Sequence, residues 1–313
     1  MARDPGADRA ESIRVGDPAG PVHLLCIGNS FSYDATAHLR QIVEAAGREI
    51  VIQHASLGGC SLQRHWRHAV AFEADPDDPE GRPYGPAANR FSLRERLTSR
   101  EWDFVTIQQT SGLSFRPETY QPFAGLLADY VRTHAPTAEL LVHQTWAWGA
   151  DDPLFAGGET TQQQMYERSR AAYVATGQEL GARLLPVGDA MQRARQSPHW
   201  GVGPRDPDYD FANPVEPNLP RQTGRLTVGY AWRGPEGNRR LALDAHHASL
   251  AGRYLAAAVW FETLFSTSII GNSYVPDGLT VEQVRDLQDV AHATVAAMRQ
   301  ADQPDNTPAT AAP

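Results

Sequence analysis

The sequence predicts an α/β protein, a three-layer α/β/α sandwich around a parallel, flavodoxin-like sheet, and three observations carry that prediction. Short apolar runs alternate with longer stretches of helical period along most of the chain. The first apolar run ends in a Gly-Asn-Ser turn, so strand hands over to helix through a tight connection. Strands separated by helix-length segments run parallel, because a parallel pair needs a crossover and the crossover carries the helix.

Residues 22–27 read as the first buried strand, ending at Gly28-Asn29-Ser30, with a helical pattern over 36–46 behind it. The rhythm repeats as strand over 49–55, helix over 62–72, strand over 104–108, helix over 120–134, strand over 140–143, helix over 162–180 and strand over 183–186. Helices are then expected over 241–264 and 280–299. Two stretches interrupt the alternation. Residues 73–90 are rich in Asp, Pro and Gly, and residues 197–240 carry prolines and glycines around a short hairpin pattern at 225–232. Both are expected as loop insertions on one domain spanning 21–300. The second holds Trp200, Tyr209, Phe211, Tyr230 and Trp232, which suit a flap over a substrate. Residues 1–20 are charged and rich in Gly and Pro, and residues 301–313 have the composition of a disordered tail.

Composition narrows the function. The chain has 313 residues, 41% hydrophobic and 21% charged, enough for a large buried core. Its 28 basic and 37 acidic residues give a formal net charge of −9, without a basic block to neutralise a run of phosphates, so nucleic acid is not an expected partner. No apolar stretch approaches the roughly 20 residues that cross a bilayer, and the first twenty residues lack a secretory apolar region, so neither a membrane nor export is expected. Cys26 and Cys60 are too few for a disulfide framework or a four-cysteine zinc site, which fits a cytoplasmic protein.

The chemistry centres on Ser30. At the end of the first strand its hydroxyl projects from the carboxyl edge of the sheet, where open α/β sheets bind ligands. A serine hydroxyl is a weak nucleophile until a base takes its proton, so a histidine and a group orienting that histidine are required. Asp244-Ala245-His246-His247 supplies both, with the acid three residues before a histidine at the predicted start of the long helix. Each motif also has a structural reading, since Asn, Ser and Asp are favoured helix caps. Leu57-Gly58-Gly59-Cys60-Ser61 follows the second strand, where glycine turns a backbone N–H toward a pocket, as a developing oxyanion demands. Gln108 and Gln109 end the third strand on opposite faces, so only one of them can serve the pocket. Asn29, His143, Gln144 and Trp146 are assigned to substrate binding. His65 and His68, three apart on a helical pattern, lack a third ligand of clear spacing, so no metal or other cofactor is called for. Cys60 reads as a small apolar filler.

Together, Gly28-Asn29-Ser30-Phe31-Ser32, the Gly58-Gly59 turn, the amide-bearing strand end and Asp244-x-x-His247 resemble the ordered blocks of the SGNH hydrolases, also called the GDSL-like lipase and acylhydrolase superfamily. The resemblance spans residues 22 to about 260. It is most similar to a bacterial branch with Gly-Asn-Ser-Phe-Ser, Gly-Gly-Cys-Ser-Leu followed by His-Trp (here His65-Trp66), and Gln-Gln-x-Ser. It implies Ser30 as nucleophile, His247 as base, Asp244 as its orienting acid, and the N–H groups of Ser30 and Gly59 as oxyanion donors. The superfamily carries Gly-x-Asn-Asp after the third strand, its Asn donating from the side chain. Here Gln108 or Gln109 offers an amide one methylene further out, and the sequence leaves open which.

The expected activity is a metal-independent serine esterase cleaving small acyl esters, of acetyl type, on a carbohydrate. Trp66, Trp146, Trp148 and the aromatics of 197–240 suit stacking on sugar faces. Two other readings stand beside it: an acyltransferase or unconventional sugar-bond hydrolase at the same site, and a catalytically silent carbohydrate-binding protein.

Overall fold

The computed structural model describes residues 20–201 and 206–301; the expected flexible ends lie outside the described residues, apart from Gly20 and Ala301. Strands β1 (Val22–Gly28), β2 (Ile50–Ser56), β3 (Phe104–Ile107), β4 (Glu139–His143) and β5 (Arg183–Leu185) form one parallel sheet in the order β2-β1-β3-β4-β5. Alternation along β1 explains the layers. Leu24 and Cys26 enter one apolar core and Leu25 and Ile27 the other, all four without solvent exposure.

The first core is covered by α1 (Ser30–Thr36), α2 (Leu39–Ala45), α7 (Val187–Arg195), α8 (Leu250–Phe265) and α9 (Val281–Ala301). The second is covered by α3 (Leu62–Ala74), α4 (Leu93–Thr98), α5 (Phe123–His134) and α6 (Gln162–Leu180). This is a three-layer α/β/α sandwich. Helix α8 is deeply buried, hiding every residue except Leu250 and Arg253, as an apolar all-round helix must. From β1 the chain goes out to β2 and returns across β1 to β3, so the strand order reverses at the carboxyl end of β1.

Three local expectations are corrected. The helix foreseen over 36–46 is two short helices, α1 starting at Ser30 and α2 at Leu39, because the Asn29 side chain accepts the Phe31 N–H and starts a turn six residues earlier. Residues 73–90 are partly ordered, with a 3₁₀ turn at Pro79–Gly81 and a Tyr84–Phe91 bridge. The helix foreseen from residue 241 starts at Leu250, and residues 240–248 are a strand instead. β6 (Thr227–Arg233) and β7 (Arg240–Ala248) pair as an antiparallel hairpin standing off the main sheet. Ser249 caps α8 by accepting the Gly252 N–H, which ends the strand there.

Candidate active site

The site begins with a glycine that no other residue can replace. A Cβ on Gly28 would lie 2.2 Å from Ser32 Oγ and 2.9 Å from the Gln108 side chain, so only glycine lets β1 turn sharply into α1. The turn leaves Ser30 partly exposed as the first residue of α1.

His247 arrives from the other end of the chain through a bulge. Thr227 pairs with Ala248 and Gly229 with Asp244, so one residue of β6 faces three of β7 and residues 245–247 loop out. Asp244 shapes that bulge, its Oδ1 accepting the N–H groups of His246 at 3.2 Å and His247 at 3.0 Å. The three-residue spacing therefore works at a strand end and not, as expected from sequence, on the first turn of a helix. The same carboxylate holds His247 Nδ1, 3.0 Å from Oδ2. A carboxylate only accepts, so Nδ1 carries the proton, and bare Nε2 accepts the Ser30 hydroxyl at 2.9 Å. Burial pushes the Asp244 carboxyl up, but the His247 N–H and ring and the His246 N–H outweigh it and hold the group below the usual carboxylate range.

Several groups fix this line of three. Asp34, one turn after Ser30, accepts the Ala248 N–H at 2.8 Å and Arg253 Nε at 2.9 Å, so α1 grips both the end of β7 and the start of α8. Burial pushes its carboxyl up, opposed by Ala248 and Arg253. From the far side, the loop after β4 donates Trp146 Nε1 to the His246 carbonyl and the Gly149 N–H to that of Ala245. Asp151 takes both terminal nitrogens of Arg225 at 2.8 and 2.9 Å, just before β6. Sequence reasoning missed Asp34, Asp151 and Arg225. For Asp34 the one available signal was an acid on an otherwise buried helix face, four residues after the serine.

Beneath Ser30 lies a closed polar network. Asn29 Oδ1 accepts the Phe31 N–H at 3.0 Å and its Nδ2 donates to the Cys60 carbonyl at 3.1 Å, so backbone groups settle which end is which. The Gln108 end at Asn29 Oδ1 is therefore its amide nitrogen, donating at 2.8 Å. Its Oε1 then accepts from Ser32 Oγ at 2.6 Å and from His143 Nδ1 at 2.7 Å. His143 has no exposure, and burial pushes its pKa down to about 3. Gln109 faces the opposite side, as strand alternation requires. Its amide nitrogen donates to the carbonyl and hydroxyl of Thr119, and its Oε1 accepts the N–H groups of Leu62 and Thr110.

These contacts correct several assignments. Gln108 and Gln109 are buried and committed, so neither amide faces the rim where an oxyanion would form. Asn29, His143, Gln144 and Trp146 are buried too, behind Ser30 and not in an open wall. Gln144 brackets Asp189 at the start of α7, and Trp146 stacks on Phe31 at 4.3 Å as a floor beneath His247. Trp66 packs edge-on against Tyr130 in the second core, and Trp200 is in the first, whereas Trp148 is half-buried at the margin of the first core and stacks on His246.

On the β2 side, Gly59 is exposed with a left-handed φ of 59°, and nothing stands within 4 Å of where its Cβ would be. The N–H groups of Gly59 and Ser30 have no partner among the described residues. His65 is held between the Gly28 carbonyl at 3.0 Å and the Tyr84 hydroxyl at 2.7 Å, and burial pushes it down to about 3. His68 bonds the Glu80 carbonyl. Among the described residues no group of three or more His, Cys, Asp or Glu is placed to hold a metal ion. Burial pushes the Cys60 thiol up to about 12. A cavity of about 710 Å³ opens between residues 115–118, Leu154 and the outer face of α6, and neither Ser30 nor His247 lines it. No helix among the described residues is long and apolar enough to cross a membrane.

The chain is similar to several proteins of known structure. A DUF4886 family protein from Bacteroides uniformis is 26% identical in sequence, with 88% of this chain and 95% of that one covered and a TM-score of 0.66. A candidate SGNH hydrolase from Slackia heliotrinireducens is 21% identical over 78% of this chain and all of that one, at a TM-score of 0.47. An acetylxylan esterase from Geobacillus stearothermophilus is 13% identical over 82% and 98%, at a TM-score of 0.44. No curated protein matches. The model of the family described as a domain of unknown function, DUF4886, matches residues 23–232, which is most of the sheet, the Ser30 turn and the first hairpin strand, and the chain belongs to that family.

Proposed function

We propose that this chain is a serine hydrolase of SGNH type that cleaves small acyl esters. The observation carrying the reading is the 2.9 Å approach of the Ser30 hydroxyl to His247 Nε2, with Asp244 on the opposite ring nitrogen. In this reading His247 takes the Ser30 proton as Oγ attacks the ester carbonyl carbon. The oxyanion is met by the N–H groups of Ser30 and Gly59, and Gln108 acts one step removed. Through Asn29 it holds the Cys60 carbonyl, and with it the peptide chain next to Gly59. His247 returns the proton to the leaving alcohol, and a water activated by the same ring hydrolyses the acyl-enzyme. The closed floor of Phe31 and Trp146 supports a small acyl group, since both rings are buried and stacked behind Ser30. Trp148 and the cluster that Tyr209 and Phe211 form with Tyr230 of β6 support a carbohydrate alcohol.

The test is turnover of 4-nitrophenyl esters of increasing chain length, alongside labelling by a fluorophosphonate serine probe. Acetate and propionate esters are expected to be cleaved fastest, and the label to be lost in Ser30→Ala. Absence of turnover and of labelling in the wild-type protein overturns the proposal.

A further inference from the structure

Directly before His247, in the same bulge, a second histidine sends its ring the other way. His246 sets Nε2 at 2.9 Å from Asp152 Oδ2, so Nε2 carries the proton and Nδ1 is left as an acceptor. Asp152 is itself fixed, its Oδ1 accepting the Leu154 N–H at 2.9 Å. The imidazole stacks on Trp148, with ring centres 3.9 Å apart and planes at 28°. Its backbone is held from both sides, the N–H by Asp244 and the carbonyl by Trp146. Even so the side chain is 42% exposed, and Nδ1 has no partner among the described residues. Trp148 continues the surface toward Gly112, where a Cβ would meet its ring at 3.9 Å.

An exposed side chain normally keeps its rotamer freedom. Here a ring held in one place and one tautomer, with a free acceptor in the same bulge that carries His247, is pre-organised to meet a donor arriving from solvent. We infer that His246 Nδ1 accepts a hydrogen bond from a hydroxyl on the alcohol half of the ester, with Trp148 beside it as the wall, so that esters of polyols such as sugars are the preferred substrate class. The inference rests on the ester-cleaving reading of Ser30. The hydroxyl lies next to the scissile bond and not in it, so the contact is present in ground and transition states alike and acts on KM.

The experiment pairs ethyl acetate with a methyl glucoside acetylated at one position flanked by free hydroxyls. His246→Ala is expected to raise KM for the sugar ester about tenfold, as one lost hydrogen bond would, with kcat and both constants for ethyl acetate within about twofold. A deoxy sugar ester lacking the neighbouring hydroxyls is expected to be insensitive to the substitution. Equal changes on ethyl acetate and the sugar ester, or a deoxy ester as sensitive as its parent, overturn the inference and leave His246 as a brace for the loop after β4. A second arm needs no turnover. Saturation-transfer NMR of methyl β-glucoside on Ser30→Ala is expected to show contact that Ser30→Ala/His246→Ala loses. Contact equal in both variants, or absent from both, overturns the inference by itself, whereas failure of the ester reading shows separately as the absence of wild-type turnover and labelling.

Discussion

Two serine–histidine pairs lie two residues apart on α1, and they differ in everything but residue type. Ser30 meets His247 at the rim, with a carboxylate behind the ring and 39% of the histidine side chain exposed. Ser32 and His143 meet on Gln108 Oε1, with an amide between them and neither side chain reaching solvent. At the rim the ring holds its proton toward Asp244 and turns a bare nitrogen to the hydroxyl, so a proton has somewhere to go. In the buried pair both partners donate to one oxygen, the other histidine nitrogen has no partner among the described residues, and burial pushes the imidazole down to about 3. A serine and a histidine at hydrogen-bonding range are therefore not enough. The group behind the ring and access to water decide whether the pair is chemistry or scaffold.

Exchanging the pairs under mutation tests that difference, beginning with the largest effect. Ser30→Ala is expected to lower kcat at least about 10³-fold on aryl acetates while Tm stays put, because a partly exposed hydroxyl contributes little to folding. Ser32→Ala is expected to do the reverse, losing about 1 kcal/mol of stability with activity nearly intact. If Ser32→Ala proved the more damaging to kcat, the assignment of the two pairs would be inverted. His247→Ala is likewise expected to cost about 10³-fold or more in kcat.

Gln108→Ala should fall between the two classes. It leaves the His143 N–H and the Ser32 hydroxyl without their acceptor, so a loss of about 2 kcal/mol is expected together with a roughly tenfold drop in kcat as the Gly59 turn relaxes. A hundredfold drop at unchanged Tm would mean that the amide reaches the oxyanion directly. The acid limb of stability offers a finer measure. His65 and His143 bind a proton in the unfolded chain below about pH 6.5 but in the folded one only near 3, so stability falls as pH drops through that window. The slope approaches about 1.4 kcal/mol per pH unit for each histidine, and His143→Gln, read by chemical denaturation at several pH values, should remove one share of it. The smallest effect expected is none at all. Prolonged dialysis against a chelator leaves the rate unchanged if a general base generates the nucleophile, and loss of activity restored by zinc would replace the serine route.

The sheet was legible because parallel strands buried on both faces leave continuous apolar runs, and each of the five was found within a residue or two of its place. The turn at Ser30 was legible for a related reason, since a glycine that ends such a run marks where the strand hands over to the helix. Residues 241–248 were misread as helix because Arg240–Ala248 has no partner near it in period, only β6 across a proline- and glycine-rich stretch, and its apolar residues also fit a helical repeat. The direction of Gln108 was not legible at all. It depends on Asn29, Ser32 and His143, which come from three separate segments and are united only by the fold. His143 and Trp146 were taken for a pocket wall because strand ends at the carboxyl edge usually face a ligand, whereas here Phe31 stacks over Trp146 and His143 is buried against Trp260 and Gln108.

Helix α1 works as a caliper. One jaw is Ser30 and the other is Asp34, which closes on the Ala248 N–H one residue past the histidine. The gap between serine and imidazole is therefore gauged within a single turn of helix and inherits little from the hairpin, whose tip at residues 234–239 can drift or change length without resetting it. One residue inserted between the jaws would rotate them by about 100° relative to each other and open the gap, with every reacting group still present in the sequence. Among relatives of this chain, length variation is expected to gather in the hairpin tip and to spare the spacing from Ser30 to Asp34 and from His247 to Ala248.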